Sequence, residues 1–508
     1  MVIVDRTPGR ELSRRAVLAG GATALLAGCH DGGAPTSLHH DQMSAKVDWS
    51  RLRRSVQGRL VLPSDRGYDR VRLTQNPRYD GQRPLAVLSV ANGKDVATAL
   101  AFAQDQDIPV AVRSGGHSYP GWSGGGSPRS LVVDVRPLDR VKVHGTTATV
   151  GSGAALAHLY DGVSRKGRAV AAGSCPTVGV AGLTLGGGVG VLSRAYGLTC
   201  DFVTGMKVVT ADGRILRVDA DHEPDLFWAL RGGGGGHLGV VTAFTMRTVA
   251  APTVRTAYLQ WPASAAPAVL EAWQAWAPEA DARLWSTCKL LAGTKHPGGP
   301  VVAVAATWTG PAAAFERRLR GLLAHVPPPP VSTRATRTYR EAMFTYAGCS
   351  SVPATQCHTG PGGALKREAL SATSHVAYDA IGSAAIGTLL DRLEDAPRLR
   401  EVGVLVDALG GRVADVAPDA TAFVHREALA TVQYTATYPP GTPRRADRFV
   451  RGLRRAMTPY WGDHAYVNYA DPTIADHRNA YFGTNANRLA EVRAAYDPDR
   501  FFTQPQSY

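Results

Sequence analysis

The sequence contains no uninterrupted apolar run of about 18 residues, the length that a transmembrane helix requires. It also has no basic tract, although the formal net charge is +14. The densest group of arginines is Arg51, Arg53, Arg54 and Arg59. Because scattered charge is typical of an ordinary surface, it argues against a nucleic-acid-binding protein. Attraction to an anionic membrane or an acidic substrate fits the charge better.

Only the N-terminus has the composition of a targeting segment. Ser13–Leu18 contains the arginine pair of a twin-arginine export signal, and a short apolar stretch follows over residues 16–27. Leu26–Cys29 resembles a bacterial lipobox, whose cysteine becomes lipidated; an ordinary signal peptide with an incidental cysteine is the alternative. We expect a signal peptide over residues 1–28 and twin-arginine export, giving a cell-surface lipoprotein or a secreted protein.

Cysteine is scarce, with six residues in the chain. Cys349 and Cys357 enclose a short loop rich in serine, proline and threonine, and in an exported protein they form either a disulfide or two free thiols. Cys200 and Cys288 have apolar neighbours, which favours two inert core residues. Since Cys29 belongs to the lipobox, only Cys175 needs a further explanation.

A chain of 508 residues is long enough for two domains. Residues 29–78 are expected to form a tether and an N-terminal helix, with helical spacing of apolar residues over Val47–Val61. Strand and helix patterns alternate over residues 79–250 and predict a first domain.

Residues 251–458 have a different pattern, in which helices surround several half-buried strands. The predicted strands are Val301–Trp308, Val402–Ala408, Ala422–Val424 and Ala430–Tyr438. This pattern predicts a second domain with an antiparallel sheet covered on one face by helices, and therefore an α+β fold.

Gly234, Gly236 and Gly239 match the dinucleotide-binding pattern GxGxxG. In that motif the glycines follow a strand and open a helix, whose N-terminus faces the pyrophosphate. Here they follow a predicted helix over 224–231 and open a predicted strand over 240–246. The order is inverted, so we interpret these glycines as a packing turn rather than an NAD site.

Two other glycine-rich stretches carry reactive side chains. Val112–Gly121 contains His117, and Ala172–Val180 contains Cys175. Glycine-rich backbone can form a nest of N–H groups that binds an anion. The first stretch offers such donors from Arg113 to Ser118, although taken alone it is equally well a structural turn.

Both stretches, together with Tyr466 and Asn468 near the C-terminus, resemble the PCMH-type FAD-binding domain of berberine-bridge-enzyme-like oxidases, in the vanillyl-alcohol-oxidase superfamily. The resemblance is close over about residues 80–250 and good over about 455–508. It implies that residues 459–508 return to the FAD domain and that 251–458 form the substrate domain.

The resemblance further implies one FAD bonded covalently to both His117 and Cys175. The 8α-methyl group of a flavin can lose a proton to give an electrophilic quinone methide, to which a neutral imidazole nitrogen can add, and a thiolate can add at ring position 6. A small buried structural cysteine is the alternative for Cys175. No metal site is predicted. The remaining implied FAD contacts are Arg113, Ser114, Gly115, Gly116, Ser118, Val178, Gly179, Gly182, Gly187, Gly188, Gly190 and Val240.

Alcohol oxidation by a flavin requires a general base that removes the hydroxyl proton. The resemblance assigns this role to Tyr466, whose pKa must then be depressed or whose proton must be relayed. Asn468 lies two residues along a predicted extended stretch and faces the same side, while Asp407 is the candidate relay carboxylate. The alternatives are a core tyrosine and a structural aspartate before a glycine turn.

The leading hypothesis is an FAD oxidase of a carbohydrate-like or glycosylated alcohol that passes electrons to O2 and releases H2O2. Val178 stands where the family has a small apolar residue that admits oxygen. A dehydrogenase with another acceptor and a lipid-anchored, non-catalytic binding protein are the alternatives. Trp122 and the segment 183–185 depart from the family pattern near the substrate approach, so the sequence does not identify the substrate.

Overall fold

The computed structural model describes residues 47–508 apart from 395, 397, 398 and 440. The predicted signal peptide, Cys29 and most of the predicted tether lie outside the described residues. Within that range, no helix is both long and apolar enough to cross a membrane.

The first sheet has the strand order β1-β2-β4-β3, in which β2, β4 and β3 run parallel and β1 is antiparallel to β2. Its strands are β1 (Arg59–Val61), β2 (Ala86–Ser89), β3 (Val110–Arg113) and β4 (Leu131–Asp134). The helices of this part are α1 (Trp49–Ser55), α2 (Tyr68–Val71) and α3 (Gly93–Asp105).

The helix predicted over Val47–Val61 is wrong in its second half. The helix ends at Ser55, Val56 is extended, and the chain continues into β1. Gly58 marks the transition, because a Cβ there would lie 2.2 Å from the carbonyl oxygen of Ser89. Apolar spacing alone did not separate a short helix from the strand that follows it.

The second sheet is antiparallel with the order β5-β6-β10-β8-β9. Its strands are β5 (Val141–His144), β6 (Thr147–Gly151), β8 (Val203–Val209), β9 (Ile215–Val218) and β10 (Val240–Arg247), and the ribbon β7 (Arg168–Ala169) pairs with β11 (Val249–Ala250). Its helices are α4 (Leu156–Ser164), α5 (Val180–Leu185), α6 (Ser193–Tyr196) and α7 (Pro224–Ala229). The glycines at 234–239 indeed connect a helix, α7, to a strand, β10, which is the inverted order expected from the sequence.

The third sheet is antiparallel and has seven strands in the order β15-β12-β14-β13-β17-β18-β16. Its strands are β12 (Thr253–Pro262), β13 (Leu284–Ala292), β14 (Val301–Trp308), β15 (Val331–Thr338), β16 (Leu370–Ala377), β17 (Glu401–Ala408) and β18 (Ala430–Thr437). The helices are α8 (Ala266–Trp276), α9 (Ala312–Leu323), α10 (Tyr339–Tyr346), α11 (Ser383–Glu394) and α12 (Pro443–Trp461).

One face of this sheet is apolar and packs against α8, α11 and α12, which confirms the predicted layering. Val404 and Val432 belong to this core, whereas the alternate residues of the same strands, among them Asp407 and Gln433, lie on the opposite face. This opposite face carries polar side chains such as Asp407 and Gln433, and it borders the site described below.

The strand predicted over Ala422–Val424 is wrong, because that segment is a loop.

In the C-terminal segment, α13 (His477–Phe482) and α14 (Ala486–Tyr496) share a core with the second sheet, and Phe502 belongs to the core of the first sheet. Gln504 donates a hydrogen bond to the carbonyl of Gly235 at 2.7 Å, which fixes the chain end beside the glycine turn before β10. The stretch predicted as extended over 465–472 instead contains a single 3-10 turn at Val467–Tyr469.

The five cysteines that the structure describes are either disulfide-bonded or free. Cys349 and Cys357 form a disulfide, which settles the alternative left open by the sequence. Cys200 and Cys288 are buried and free, as expected of core residues. Cys175 is free and only partly buried, so it remains accessible for chemistry.

Candidate active site

The first wall of the site is the loop that follows β3. The backbone N–H groups of residues 114–119 donate no hydrogen bond to a backbone carbonyl of the described residues. Gly116 has a φ of +73°, a left-handed conformation that helps to turn successive N–H groups the same way. A run of backbone N–H groups without a protein acceptor in such a loop is suited to an anionic ligand.

A second loop, residues 173–179, lies directly against the first. A Cβ on Gly115 would be 2.1 Å from the backbone nitrogen of Gly179, and a Cβ on Gly179 would be 2.1 Å from Ser114 Oγ. Neither position can accept a side chain without displacing backbone. The two glycines therefore bring the loops that carry His117 and Cys175 into contact.

His117 and Cys175 share one neighbour. His117 Nε2 lies 2.8 Å from Thr177 Oγ1, and Cys175 Sγ lies 3.6 Å from the same oxygen. Burial lowers the pKa of His117 to about 4, so its imidazole is neutral near pH 7 and keeps a lone pair. Both potential nucleophiles thus face the same space, and Thr177, two residues after Cys175, is a site residue that sequence reasoning missed.

Two of the predicted cofactor contacts, Arg113 and Val240, have buried side chains, so any contact with the cofactor would be made by their backbone atoms. The side chain of Arg113 is fully buried, forms an ion pair with Asp134 at 3.0 Å, and donates to the carbonyls of Val71 and Arg72. Val240 has no exposed surface and pairs with Val209 inside the core. Neither side chain is available to a ligand.

The remaining polar contacts of the predicted set are local. Ser114 Oγ donates to the carbonyl of Ser152 at 2.7 Å, and Ser118 Oγ accepts from the backbone N–H of Trp122 at 3.2 Å. Val178 is partly buried, and a Cβ on Gly182 would meet no atom within 4 Å. The predicted contacts of these residues with a cofactor stay predictions.

Tyr466 has the most unusual environment in the site. Its side chain is buried, and its Oη accepts hydrogen bonds from the backbone N–H of Gly188 at 2.9 Å, from that of Val189 at 3.3 Å and from Asn468 Nδ2 at 2.8 Å. A neutral phenol has two lone pairs and one proton to donate, so three converging donors favour the phenolate. Burial opposes them and raises the pKa of Tyr466 to about 12, so of the two alternatives left by the sequence, a depressed pKa or a relayed proton, the first is not met in this structure.

The glycine tract after α5 builds this environment. Gly187 and Gly188 have φ values of +112° and +90°, and a Cβ on Gly186 would lie 2.2 Å from Asn468 Oδ1. The sequence assigned Gly187, Gly188 and Gly190 to the cofactor. In the structure the same tract also contacts Tyr466 and Asn468 and fixes their positions.

The polar face of the third sheet forms the opposite wall. Ser374 Oγ accepts from the backbone N–H of Tyr466 at 3.2 Å, and Gln433 Nε2 donates to the hydroxyl of Tyr119. The Tyr119 and Tyr469 rings stack at 5.6 Å, and Tyr469 meets Tyr466 edge-on at 4.9 Å. Sequence reasoning missed Tyr119, Tyr469 and Gln433; the first two adjoin the quoted motifs, but no signal marked Gln433.

Asp407 lies on the same polar face, in register with Thr287 on β13 and Thr431 on β18. Burial raises the pKa of its carboxyl above the ordinary value. No hydrogen bond joins Asp407 to Tyr466 among the described residues. A direct relay between them is therefore not formed in this structure, although both belong to the same site.

These features define a class of protein. A run of unpaired backbone N–H groups fits the pyrophosphate of a dinucleotide, and a neutral imidazole beside an accessible thiol fits the reactive edge of a flavin. The close contact of Gly115 with Gly179 joins the two parts into one site. The residues present therefore fit an FAD-binding protein.

Comparison with known proteins agrees. The model of the FAD binding domain family matches residues 84–219, and that of the berberine and berberine-like family matches residues 465–507. An uncharacterised FAD-linked oxidoreductase of Bacillus subtilis, YgaK, is 31% identical over 460 residues that cover 89% of this chain and 97% of the relative. Glucooligosaccharide oxidase of Sarocladium strictum is 27% identical and covers 90% of this chain and 95% of its own.

Among solved structures, BBE-like 1 of Physcomitrella patens superposes with a TM-score of 0.81 at 25% identity, covering 92% of this chain and 98% of its own. A carbohydrate oxidase of Microdochium nivale gives a TM-score of 0.79, also at 25% identity, covering 90% and 98%. The chain belongs to the berberine-bridge-enzyme-like family of FAD-linked oxidoreductases.

Proposed function

We propose that this enzyme oxidises an alcohol group of a carbohydrate-like or glycosylated substrate, using FAD bonded to both His117 and Cys175, and that O2 reoxidises the cofactor with release of H2O2. The observation that carries the proposal is the buried oxygen of Tyr466 with its three N–H donors. The three donors favour negative charge on this oxygen and burial opposes it, so Tyr466 takes a proton from a substrate hydroxyl in its phenolate form.

The arrangement of the two nucleophiles supports bicovalent attachment. The 8α-methyl carbon and position 6 both belong to the benzenoid part of a flavin, and His117 and Cys175 lie around a single hydroxyl, that of Thr177. The neutral imidazole of His117 can attack without first losing a proton. Thr177 is placed to orient the imidazole through its hydroxyl.

When bound, FAD supplies the hydride acceptor for the carbon that carries the hydroxyl. The role of the chain is to orient that hydroxyl and remove its proton. The phenolate form of Tyr466, which its three donors stabilise, receives the proton. Asn468 is a positioning residue, because it donates both to Tyr466 Oη at 2.8 Å and to the carbonyl of Leu183 at 2.9 Å.

The substrate class is supported by the opposite wall and by the relatives. Ser374, Thr431 and Gln433 give this wall hydrogen-bonding groups, and the stacked rings of Tyr119 and Tyr469 offer a flat aromatic surface. Relatives named glucooligosaccharide oxidase and chitooligosaccharide oxidase cover 90% and 84% of the chain, each at under 30% identity. A substrate rich in hydroxyl groups suits this wall.

The acceptor is the part of the proposal with a competing version. The partly buried side chain of Val178, beside Cys175 in the second loop, supports access of O2. A dehydrogenase of the same fold would instead pass electrons to another acceptor. Measuring H2O2 stoichiometrically with product during aerobic turnover separates the two, because a dehydrogenase releases none.

We further propose twin-arginine export and a lipid anchor at Cys29. The disulfide between Cys349 and Cys357 supports an oxidising compartment. Changing Cys29 to serine should move the protein from the membrane fraction to the soluble fraction without loss of the disulfide. An unchanged distribution would contradict the anchor.

The central experiment is anaerobic mixing of the enzyme with mono- and oligosaccharides and glycosylated aromatics, followed by flavin absorbance. Bleaching by one group of sugars is the expected result. An absence of bleaching by the whole panel, in protein that stays yellow after acid precipitation, contradicts carbohydrate oxidation while leaving covalent FAD intact. Protein that turns colourless on acid precipitation contradicts covalent attachment.

A further inference from the structure

Lys289 is a buried cation on the polar face of the third sheet. It lies on β13, between β14 and β17, where Ala303 and Leu405 are its direct neighbours. Its strand neighbours Cys288 and Leu290 belong to the apolar core on the helix side, so the side chain of Lys289 lies on the opposite face. It is 8% exposed.

Lys289 forms neither an ion pair nor a side-chain hydrogen bond with any described residue. Nearby Lys295 provides the contrast, since its ammonium lies 3.0 Å from Glu401, which also meets His296 at 3.3 Å. Glu401 is thus already neutralised. Burial lowers the pKa of Lys289 from its ordinary value, although the carboxyl groups of Asp407 and Glu401, neither of them within ion-pair distance, oppose this shift.

An unpaired ammonium in this position is expensive to keep. Burying a charge without a partner is strongly unfavourable, and an apolar or neutral polar residue would fill the same space at lower free energy. A cation that is unpaired in the ligand-free protein gains its partner when an anionic ligand group binds.

The position of Lys289 in the sheet shows which ligand it could contact. Thr287, two residues earlier on β13, is in register with Asp407, so Lys289 and Asp407 are diagonal neighbours on one face. The backbones of such neighbours are about 7–8 Å apart, so the side chains of Lys289 and Asp407 border the same space. Gln433, which holds Tyr119, lies on the same face two strands from Lys289. Lys289 therefore borders the space in which the proposed substrate is oxidised.

We infer that the substrate carries a carboxylate, and that Lys289 binds this carboxylate. The class is that of uronic-acid-type sugars or oligosaccharides that contain them. The inference deepens the proposed function and rests on it, because it assumes that the substrate lies along this sheet face. The net charge of +14 is complementary to such a substrate.

The test compares acidic and neutral members of matched pairs, D-glucuronate with D-glucose and D-galacturonate with D-galactose. The holoenzyme is mixed anaerobically with each sugar, and the efficiency of flavin bleaching is measured. The variants are Lys289→Met, which keeps the length of the side chain, and Lys289→Arg, which keeps its charge. Lys295→Met is the matched control, since it removes the same charge from a lysine that already has a partner.

We expect the wild type and the control to prefer the acidic sugar, and Lys289→Met to lose this preference by on the order of 10- to 100-fold. The neutral sugar should react unchanged in Lys289→Met, and Lys289→Arg should keep most of the preference. Equal bleaching by both sugars in the wild type overturns the inference. Slower bleaching by the neutral sugar in Lys289→Met also overturns it, because Lys289 would then act through Asp407.

A second measurement separates this inference from the proposed function. If no sugar bleaches the flavin, carbohydrate oxidation fails, but an anion site is still detected by thermal unfolding. Methyl β-D-glucuronide should then raise the Tm of the wild type more than methyl β-D-glucoside does, and this difference should vanish in Lys289→Met. An equal rise in Tm with the two glycosides would contradict an anion-binding role for Lys289.

Discussion

The two walls of the active site are built by different means. On the cofactor side, most of the hydrogen-bond donors are backbone N–H groups of glycine-rich loops. Examples are residues 114–119 and the tract that donates to Tyr466. On the sheet side, the polar groups are side chains from separate strands, such as Lys289, Asp407 and Gln433. The first wall is intolerant of added atoms, whereas the second can vary residue by residue. We expect the first to keep the chemistry and the second to set the substrate.

The largest effect is expected where the two loops of the cofactor side touch. Gly115→Ala places a Cβ 2.1 Å from the backbone nitrogen of Gly179, a contact that only a backbone shift relieves. The protein should therefore lose its flavin, measured as absorbance per protein. Gly387→Ala is the control: the added Cβ meets no atom within 4 Å, and alanine favours helix α11 by up to about 1 kcal/mol. Equal flavin content in the two variants would show that the loop contact does not shape the site.

The next effect concerns attachment. His117→Ala and Cys175→Ala should each leave a protein that stays yellow after acid precipitation, because one bond remains. The double variant should release its flavin. Cys288→Ala, at a buried cysteine on the helix side of the third sheet, is the control and should change nothing in this assay. Release of flavin by either single variant would show that only the altered residue carries a bond.

Removal of the proposed base should slow the reaction without affecting the bound chromophore. Tyr466→Phe should lower the anaerobic rate of flavin bleaching by about 10²- to 10⁴-fold, the range typical of a lost general base. Tyr469→Phe is the control, because its ring packs edge-on against Tyr466 while its hydroxyl receives none of the three donors. If both variants bleach at similar rates, Tyr466 is not the base.

The pH dependence of the same rate should follow the phenol. Burial raises the pKa of Tyr466 to about 12, so the fraction of phenolate, and with it the rate, should rise with pH throughout the neutral and mildly alkaline range. The native state also binds more protons than the unfolded state between about pH 10 and 12, so stability should fall as pH rises through that window. A rate that levels off near pH 7 would show that bound cofactor or substrate lowers this pKa.

The difference between the walls also explains what the sequence predicted. His117, Cys175 and Tyr466 lie in short contiguous motifs, so their neighbours could be read from the chain itself. β13 has every residue buried and β15 is largely exposed, so neither shows the alternation that marks a half-buried strand, and both were missed. Gln433 and Lys289 meet the site only through strand register across the sheet, which one sequence does not reveal.

The smallest effect is expected on the sheet side. Gln433 donates to the hydroxyl of Tyr119, whose ring stacks on Tyr469, so it supports the aromatic surface without touching Tyr466. Gln433→Ala should raise KM by about 3- to 10-fold, the value of one hydrogen bond, and leave kcat within about twofold. Gln274→Ala is the control, since that glutamine bonds the backbone of Ile381 on the helix side. A fall in kcat comparable to that of Tyr466→Phe would mean that the sheet takes part in the chemistry, and the division between the two walls would not hold.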